Sequence, residues 1–151
     1  MKTIKLKIPS MLESLESIEK ALDYLKEEYE KSLGRKGFPF TQVRVALFEA
    51  FSNAVKHAHL NRPELEVVIQ LILEAKKIEV QVLDCGKGFD FEKVKALSQR
   101  KGFLLKQAAR IAQIPEMGLG IFVITTLMDE VLYIPATDGT VYNQLVMVKY
   151  L

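Results

Sequence analysis

Two alternating runs between residues 65 and 84 most constrain what this chain can fold into. Residues 65–73 place Leu65, Val67, Ile69, Leu71 and Leu73 at every second position, and residues 78–84 do the same with Ile78, Val80 and Val82. Successive side chains of a strand point to opposite faces, so each run reads as a strand with one apolar face. The short polar turn Ala75-Lys76-Lys77 joins them as a hairpin. Such a face has to be covered by another layer.

The covering layer is written on either side of the hairpin. Residues 3–8 alternate as a short strand that Pro9 ends, and Ser10 with Glu13 reads as a capping box. Met11, Leu15, Ile18, Leu22, Leu25 and Tyr29 then make an amphipathic helix over 10–33, stopped by Gly34 and Gly37. A second helix runs over 41–59, with Val43, Leu47, Ala50, Phe51, Ala54 and Ala58 on its apolar face. The pattern weakens from Phe89 to Glu116, where one or two short helices and a mobile loop are expected. Gly118-Leu119-Gly120 opens an apolar helix over 121–128, and strands near 130–135 and 141–150 are joined by the turn signal Asp138-Gly139. This order of elements predicts an α+β two-layer sandwich, with the helices on one face of the sheet.

Composition removes several function classes. A chain of 151 residues fits one domain, 1–151, and a net charge of +2 gives no global reason to expect nucleic acid or membrane binding. The single cysteine, Cys85, can form neither an internal disulfide nor a thiolate metal site, so a reducing cytoplasm is the expected compartment. Met1-Lys2-Thr3-Ile4-Lys5 lacks the apolar run of a signal peptide, and no apolar stretch is long enough to span a bilayer.

Three clusters carry chemistry. Glu49 and Asn53 are i, i+4 neighbours on the second helix, on the face away from Leu47, Phe51, Ala54 and Ala58. A carboxylate there can accept a proton from a nucleophile, and a carboxamide oxygen is a hard ligand for Mg²⁺. Asp84-Cys85-Gly86-Lys87-Gly88 follows an apolar strand: the aspartate can accept from an exocyclic amine, and the glycines let backbone approach a flat ligand. Gly118 and Gly120 flank a helix mouth whose free N–H groups and positive dipole end suit phosphate. His57 and His59 read as packing or hydrogen-bonding residues, and Cys85 as a buried small hydrophobe.

In this order the clusters resemble the asparagine box and the two glycine boxes of the ATPase fold shared by gyrase, histidine kinases and chaperone ATPases. Within it the chain is most similar to the bacterial anti-sigma factor serine kinases. Glu49-Ala50 … Asn53-Ala54 … His57 resembles their E-A-x-x-N-A-x-x-H run, and Asp84-Cys85-Gly86-Lys87-Gly88 their D-x-G-x-G box. Met117-Gly118-Leu119-Gly120 resembles their second glycine box, and Gly139-Thr140 looks like the G-T of their final strand.

The resemblance implies a mixed, mostly antiparallel sheet, ATP and Mg²⁺ as cofactors, and serine phosphorylation of an anti-anti-sigma partner. It also implies capture of a sigma factor, and a homodimer. Glu49 would be the general base or water-orienting carboxylate, Asn53 the Mg²⁺ ligand and Asp84 the adenine reader. Gly86 and Gly88 would admit the nucleotide, Gly118 and Gly120 would lie by its phosphates, and Thr140 would support adenine through water. Residues 89–117 would form a lid, with Arg100, Lys101, Lys106 and Arg110 as alternative phosphate cations and Lys87 as a further one. The resemblance leaves two other outcomes: a nucleotide-binding regulatory module without kinase activity, and a histidine-kinase catalytic domain.

Overall fold

In the computed structural model, which describes residues 1–34, 38–105 and 116–151, the chain opens on strand β1 (Lys2–Pro9). A short 3-10 turn (Leu12–Ser14) leads into helix α1 (Leu15–Leu33), and helix α2 (Phe38–Asn53) passes into one π-helical turn (Ala54–Ala58). Strands β2 (Glu66–Leu73) and β3 (Lys77–Asp84) come next, followed by helices α3 (Phe91–Leu105) and α4 (Glu116–Leu127). Strands β4 (Glu130–Ile134) and β5 (Asn143–Tyr150) close the chain.

The strands lie in the order β1-β2-β3-β5-β4, and each pairing is antiparallel. The alternation does what it predicts. Val67, Ile69 and Leu71 of β2, Ile78, Val80 and Val82 of β3, and Leu145 and Met147 of β5 are buried together. Ile18, Leu22 and Leu25 of α1, Leu47 and Phe51 of α2, and Ile121 and Ile124 of α4 complete that core. Each such side chain contributes about 1.5–3 kcal/mol by leaving water. The stripe of α1 is thus consumed by packing. Arg44 on α2 bridges Glu19 and Asp23 of α1 and fixes the two helices side by side. The opposite sheet face carries Lys5, Gln70 and Gln81 in register, with Leu132 and Ile134 exposed at its β4 edge.

The capping box does not form. Helix α1 starts at Leu15, and Ser10 is instead buried at the end of β1 with its hydroxyl on His59. Gly34 ends α1 as expected, in the left-handed region at φ 60° with its N–H on Glu30 O; Gly37 lies outside the described residues. Helix α2 already includes Phe38 and Pro39, ahead of the expected start at 41. Among the described residues, the weakly patterned stretch holds helix α3, which the Asp90 carboxylate caps by accepting from the Lys93 N–H at 3.1 Å.

Helix α4 already includes Glu116, so Gly118 and Gly120 lie within the helix rather than ahead of it.

Candidate functional site

Helix α2 was expected to show Glu49 and Asn53 on a face away from the core, yet both are only partly exposed because α4 crosses that face. The crossing is close at one glycine. A Cβ on Gly120 would come within 3.0 Å of Asn53 Nδ2 and 3.2 Å of Glu49 Oε2. The missing side chain at Gly120 is what lets α4 approach while the acid and the amide stay together.

The other side of the site is the end of β3. Asp84 pairs in register with Asn143, the first residue of β5. Its Oδ1 accepts from Gly86 N at 2.9 Å and from Asn143 Nδ2 at 3.0 Å. The same Nδ2 also donates to Gly86 O at 2.8 Å, while Asn143 Oδ1 accepts from Ala136 N at 2.9 Å. One carboxamide therefore ties the aspartate, the glycine loop and the β4–β5 connection.

Two glycines here are sterically required. A Cβ on Gly86 would lie 2.7 Å from Ala58 O and 2.9 Å from Ala58 Cα, which are backbone atoms of the π-helical turn. Gly88 has φ 77°, and a Cβ there would meet Asn143 Oδ1 at 3.0 Å and Tyr133 Oη at 3.2 Å.

Between α2, α4 and the ends of β3 and β5 lies a cleft of about 500 Å³, counted out to its open mouth. Asn53, His57, Asp84, Gly88 and Tyr133 line it among apolar residues that include Val82, Ile121 and Leu145. Lys87 stands exposed at its rim. Among the described residues, three buried side-chain polar atoms lack a hydrogen-bond partner: Asn53 Nδ2, His57 Nε2 and Tyr133 Oη. All three belong to cleft-lining residues. Buried polar groups are ordinarily paired, so their convergence marks a pocket built for a polar ligand.

The structure thus brings Asn53, Asp84 and Gly88 to one cleft, with Glu49 and Gly120 against Asn53 and Gly86 in the loop behind Asp84. Gly118 is buried on α4 and is not part of the lining. Thr140 is displaced from its expected place. It is exposed in the β4–β5 connection, where its hydroxyl accepts from Thr137 N and donates to Thr137 O. Arg100 and Lys101 fall on α3, and Lys106 and Arg110 lie outside the described residues.

Sequence reasoning missed Asn143 and Tyr133. Asn143 could have been found as the carboxamide that the β3–β5 register sets opposite Asp84. Tyr133 stacks with Phe89 and Phe91, at ring centroid distances of 4.7 and 5.9 Å. Burial raises its phenol pKa above the ordinary value, and the Asp84 carboxylate adds to the effect.

Magnesium is the one metal the sequence implies. No group of three or more His, Cys, Asp or Glu residues among the described residues could hold a metal ion. The donor set at Asn53 still fits it: Mg²⁺ keeps several waters and binds through one or two protein oxygens plus substrate phosphates.

A small antiparallel sheet under one helical layer, with Asn53 facing an aspartate–glycine loop across a cleft, defines a nucleotide-binding α+β domain. The chain belongs to the histidine kinase-like ATPase domain family, whose model matches residues 11–149. It is 36% identical over 101 residues to a protein named serine-protein kinase RsbW from Listeria monocytogenes, and 34% identical over 100 residues to one of that name from Oceanobacillus iheyensis. Each alignment takes in 64% of this chain and 61% of the relative, so the match spans under two thirds of the relatives' length. In fold it is similar to a chain of the SiaB–SiaC complex from Pseudomonas aeruginosa, with a TM-score of 0.60 at 18% identity, covering 98% of this chain and 89% of that one.

Proposed function

We propose that this chain is an ATP-dependent serine protein kinase that modifies an anti-anti-sigma partner and, in its other state, holds a sigma factor. The observation that carries the reading is the placement of Asn53 and Asp84 on opposite walls of one cleft, with Glu49 and Gly120 packed against Asn53. The family is one of ATPase domains, and the relatives' printed name supports serine as the acceptor.

Adenine enters at the glycine loop. Its exocyclic amine donates to the Asp84 carboxylate, whose Oδ1 is already oriented by Gly86 and Asn143. The phosphates run toward α4, where the missing side chain of Gly120 leaves room beside Asn53. Asn53 would hold Mg²⁺, which when bound would neutralise charge on the phosphates. The serine Oγ then attacks the γ-phosphorus. A new O–P bond forms, the bond from the γ-phosphorus to the bridging oxygen breaks, and its electron pair leaves with ADP. Glu49 takes the serine proton.

Phosphate on the partner adds about two negative charges, which weakens its hold on the kinase and frees the kinase for sigma factor. A cytoplasmic location and a homodimer belong to the same proposal; no described helix is long and apolar enough to cross a membrane.

The test is Mg²⁺-ATP binding in the wild type and in Asp84→Asn, followed by labelled-ATP transfer to a STAS-type partner. Loss of binding in the variant, with acid-stable phosphoserine on the partner, is the expected result. Unchanged binding in the variant removes adenine from Asp84. ATP binding without transfer reduces the protein to a regulatory module, and acid-labile phosphate would indicate histidine as acceptor.

A further inference from the structure

His59 stands directly after the π-helical turn, 1% exposed, and both of its ring nitrogens are engaged. Nδ1 lies 2.9 Å from Ser10 Oγ at the end of β1, and Nε2 lies 3.0 Å from the backbone N of Cys85, next to Asp84. The ring therefore bridges two strand ends and the glycine loop. A backbone N–H only donates, so Nε2 must present its lone pair to Cys85. A neutral ring then carries its proton on Nδ1 and donates it to Ser10.

What hangs from this contact is the loop that faces the cleft. Immediately after Cys85, Gly86 is fixed through its N–H by Asp84, through its carbonyl by Asn143, and through its Cα by Ala58, the residue before His59. The imidazole supplies the remaining anchor, one residue upstream. Three groups face it. Asp84, at the end of β3, favours the charged ring; Arg62, in the segment leading to β2, opposes it; and the Cys85 thiol lies 3.3 Å from Nε2. Burial, with Arg62 adding to it, outweighs Asp84 and holds the ring below the ordinary histidine range, on the neutral side at physiological pH.

We infer that His59 is a positioning residue for the glycine loop: its neutral Nδ1–H form holds the Cys85 amide, and protonation releases it. A proton on Nε2 would set one donor against another and leave a partly buried amide unpaired. The loop that carries Gly86 and Gly88 would lose an anchor, and nucleotide affinity would fall in acid. The affinity half of this inference rests on the reading proposed above; the anchoring itself does not.

The experiment uses the full ¹⁵N-labelled chain. Long-range imidazole spectra between about pH 8 and about pH 5 read the tautomer and titration of His59, while the Cys85 and Gly86 amides are followed in parallel. The expected result is an Nδ1–H tautomer at neutral pH, a midpoint below 6.5, and a Cys85 amide that moves with the same midpoint. Mg²⁺-ATP affinity should be roughly tenfold weaker in His59→Leu. In His59→Gln, which keeps one acceptor and one donor, affinity should largely recover and lose its decline in acid. An Nε2–H tautomer, a Cys85 amide indifferent to the titration, or a His59→Gln profile identical to the wild type would each overturn the inference. Should His59→Leu fail to fold, the wild-type spectra and the glutamine variant still decide. Should the wild type bind no ATP, the nucleotide reading fails, and the tautomer and amide readouts judge the anchor alone.

Discussion

Asn143 reaches across the β3–β5 ladder and donates to the Asp84 carboxylate at 3.0 Å, so the residue proposed to read adenine is itself held by the first residue of the last strand. Asn143 is 2% exposed and has both ends of its carboxamide engaged. Truncation in Asn143→Ala would orphan Ala136 N and Gly86 O, and should lower stability by about 1–3 kcal/mol in urea unfolding. ATP affinity should fall with it, because Asp84 loses a partner that fixes its orientation. Asn143→Asp should be worse at neutral pH, where two carboxylates would meet, and partly recover in acid. A truncated variant with wild-type stability and affinity would show that this amide orients nothing.

Gly120 and Gly86 make opposite predictions for the same substitution. An alanine at Gly120 meets the outer ends of Asn53 and Glu49, which can swing aside. An alanine at Gly86 meets the backbone of Ala58, which cannot move without unwinding the π-helical turn. Gly120→Ala should therefore unfold near the wild-type midpoint yet bind Mg²⁺-ATP poorly. Gly86→Ala should lose about 1–3 kcal/mol of stability, as overpacked sites do. Thermal unfolding alongside nucleotide titration separates the two, and equal stability losses would contradict the assigned contacts.

Stability should also depend on His59. Burial lowers its folded-state pKa below the unfolded value of 6.5, so the neutral ring is the form that folding favours. Between those two values the unfolded chain binds the extra proton. The contribution is therefore fully present above pH 6.5 and is lost as pH falls from 6.5 toward the folded pKa. Urea midpoints at about pH 7.5 and about pH 5.5 should show a drop in the wild type that shrinks in His59→Gln. An identical drop in both proteins would assign it to other groups.

Much of this was legible because it is periodic. The alternation at Val67, Ile69 and Leu71 and at Ile78, Val80 and Val82 fixed the hairpin, and the i, i+4 spacing of Glu49 and Asn53 placed them on one turn. What periodicity does not carry is what covers a face. The polar side of α2 reads as solvated until α4 crosses it, and nothing near residue 49 announces the glycine at 120. Long-range polar ties were hidden for the same reason: Ser10 resembles a helix cap locally, and only the register of β1 with β2 brings it to His59. A G-T pair fits an exposed turn as well as a pocket, and here the Thr140 hydroxyl bonds Thr137 in the β4–β5 connection, while the strand register sets Asn143 opposite Asp84.

The division of labour across one turn of α2 gives the sharpest test of the proposed chemistry. Glu49 packs beside Asn53 under Gly120, but only Asn53 lines the cleft itself. If Glu49 takes the serine proton, Glu49→Gln removes a base while leaving size and packing almost unchanged. Mg²⁺-ATP affinity should stay within about twofold, while phosphate transfer to the partner should fall by roughly 10²–10⁴. Asn53→Ala should do the reverse first: it removes the metal's protein ligand, so Mg²⁺-dependent affinity drops before any turnover is read. Single-turnover transfer at saturating ATP, set beside binding isotherms for both variants, separates the roles. A Glu49→Gln protein that transfers phosphate at the wild-type rate would move the base to another group, such as His57, which lines the cleft one turn beyond Asn53.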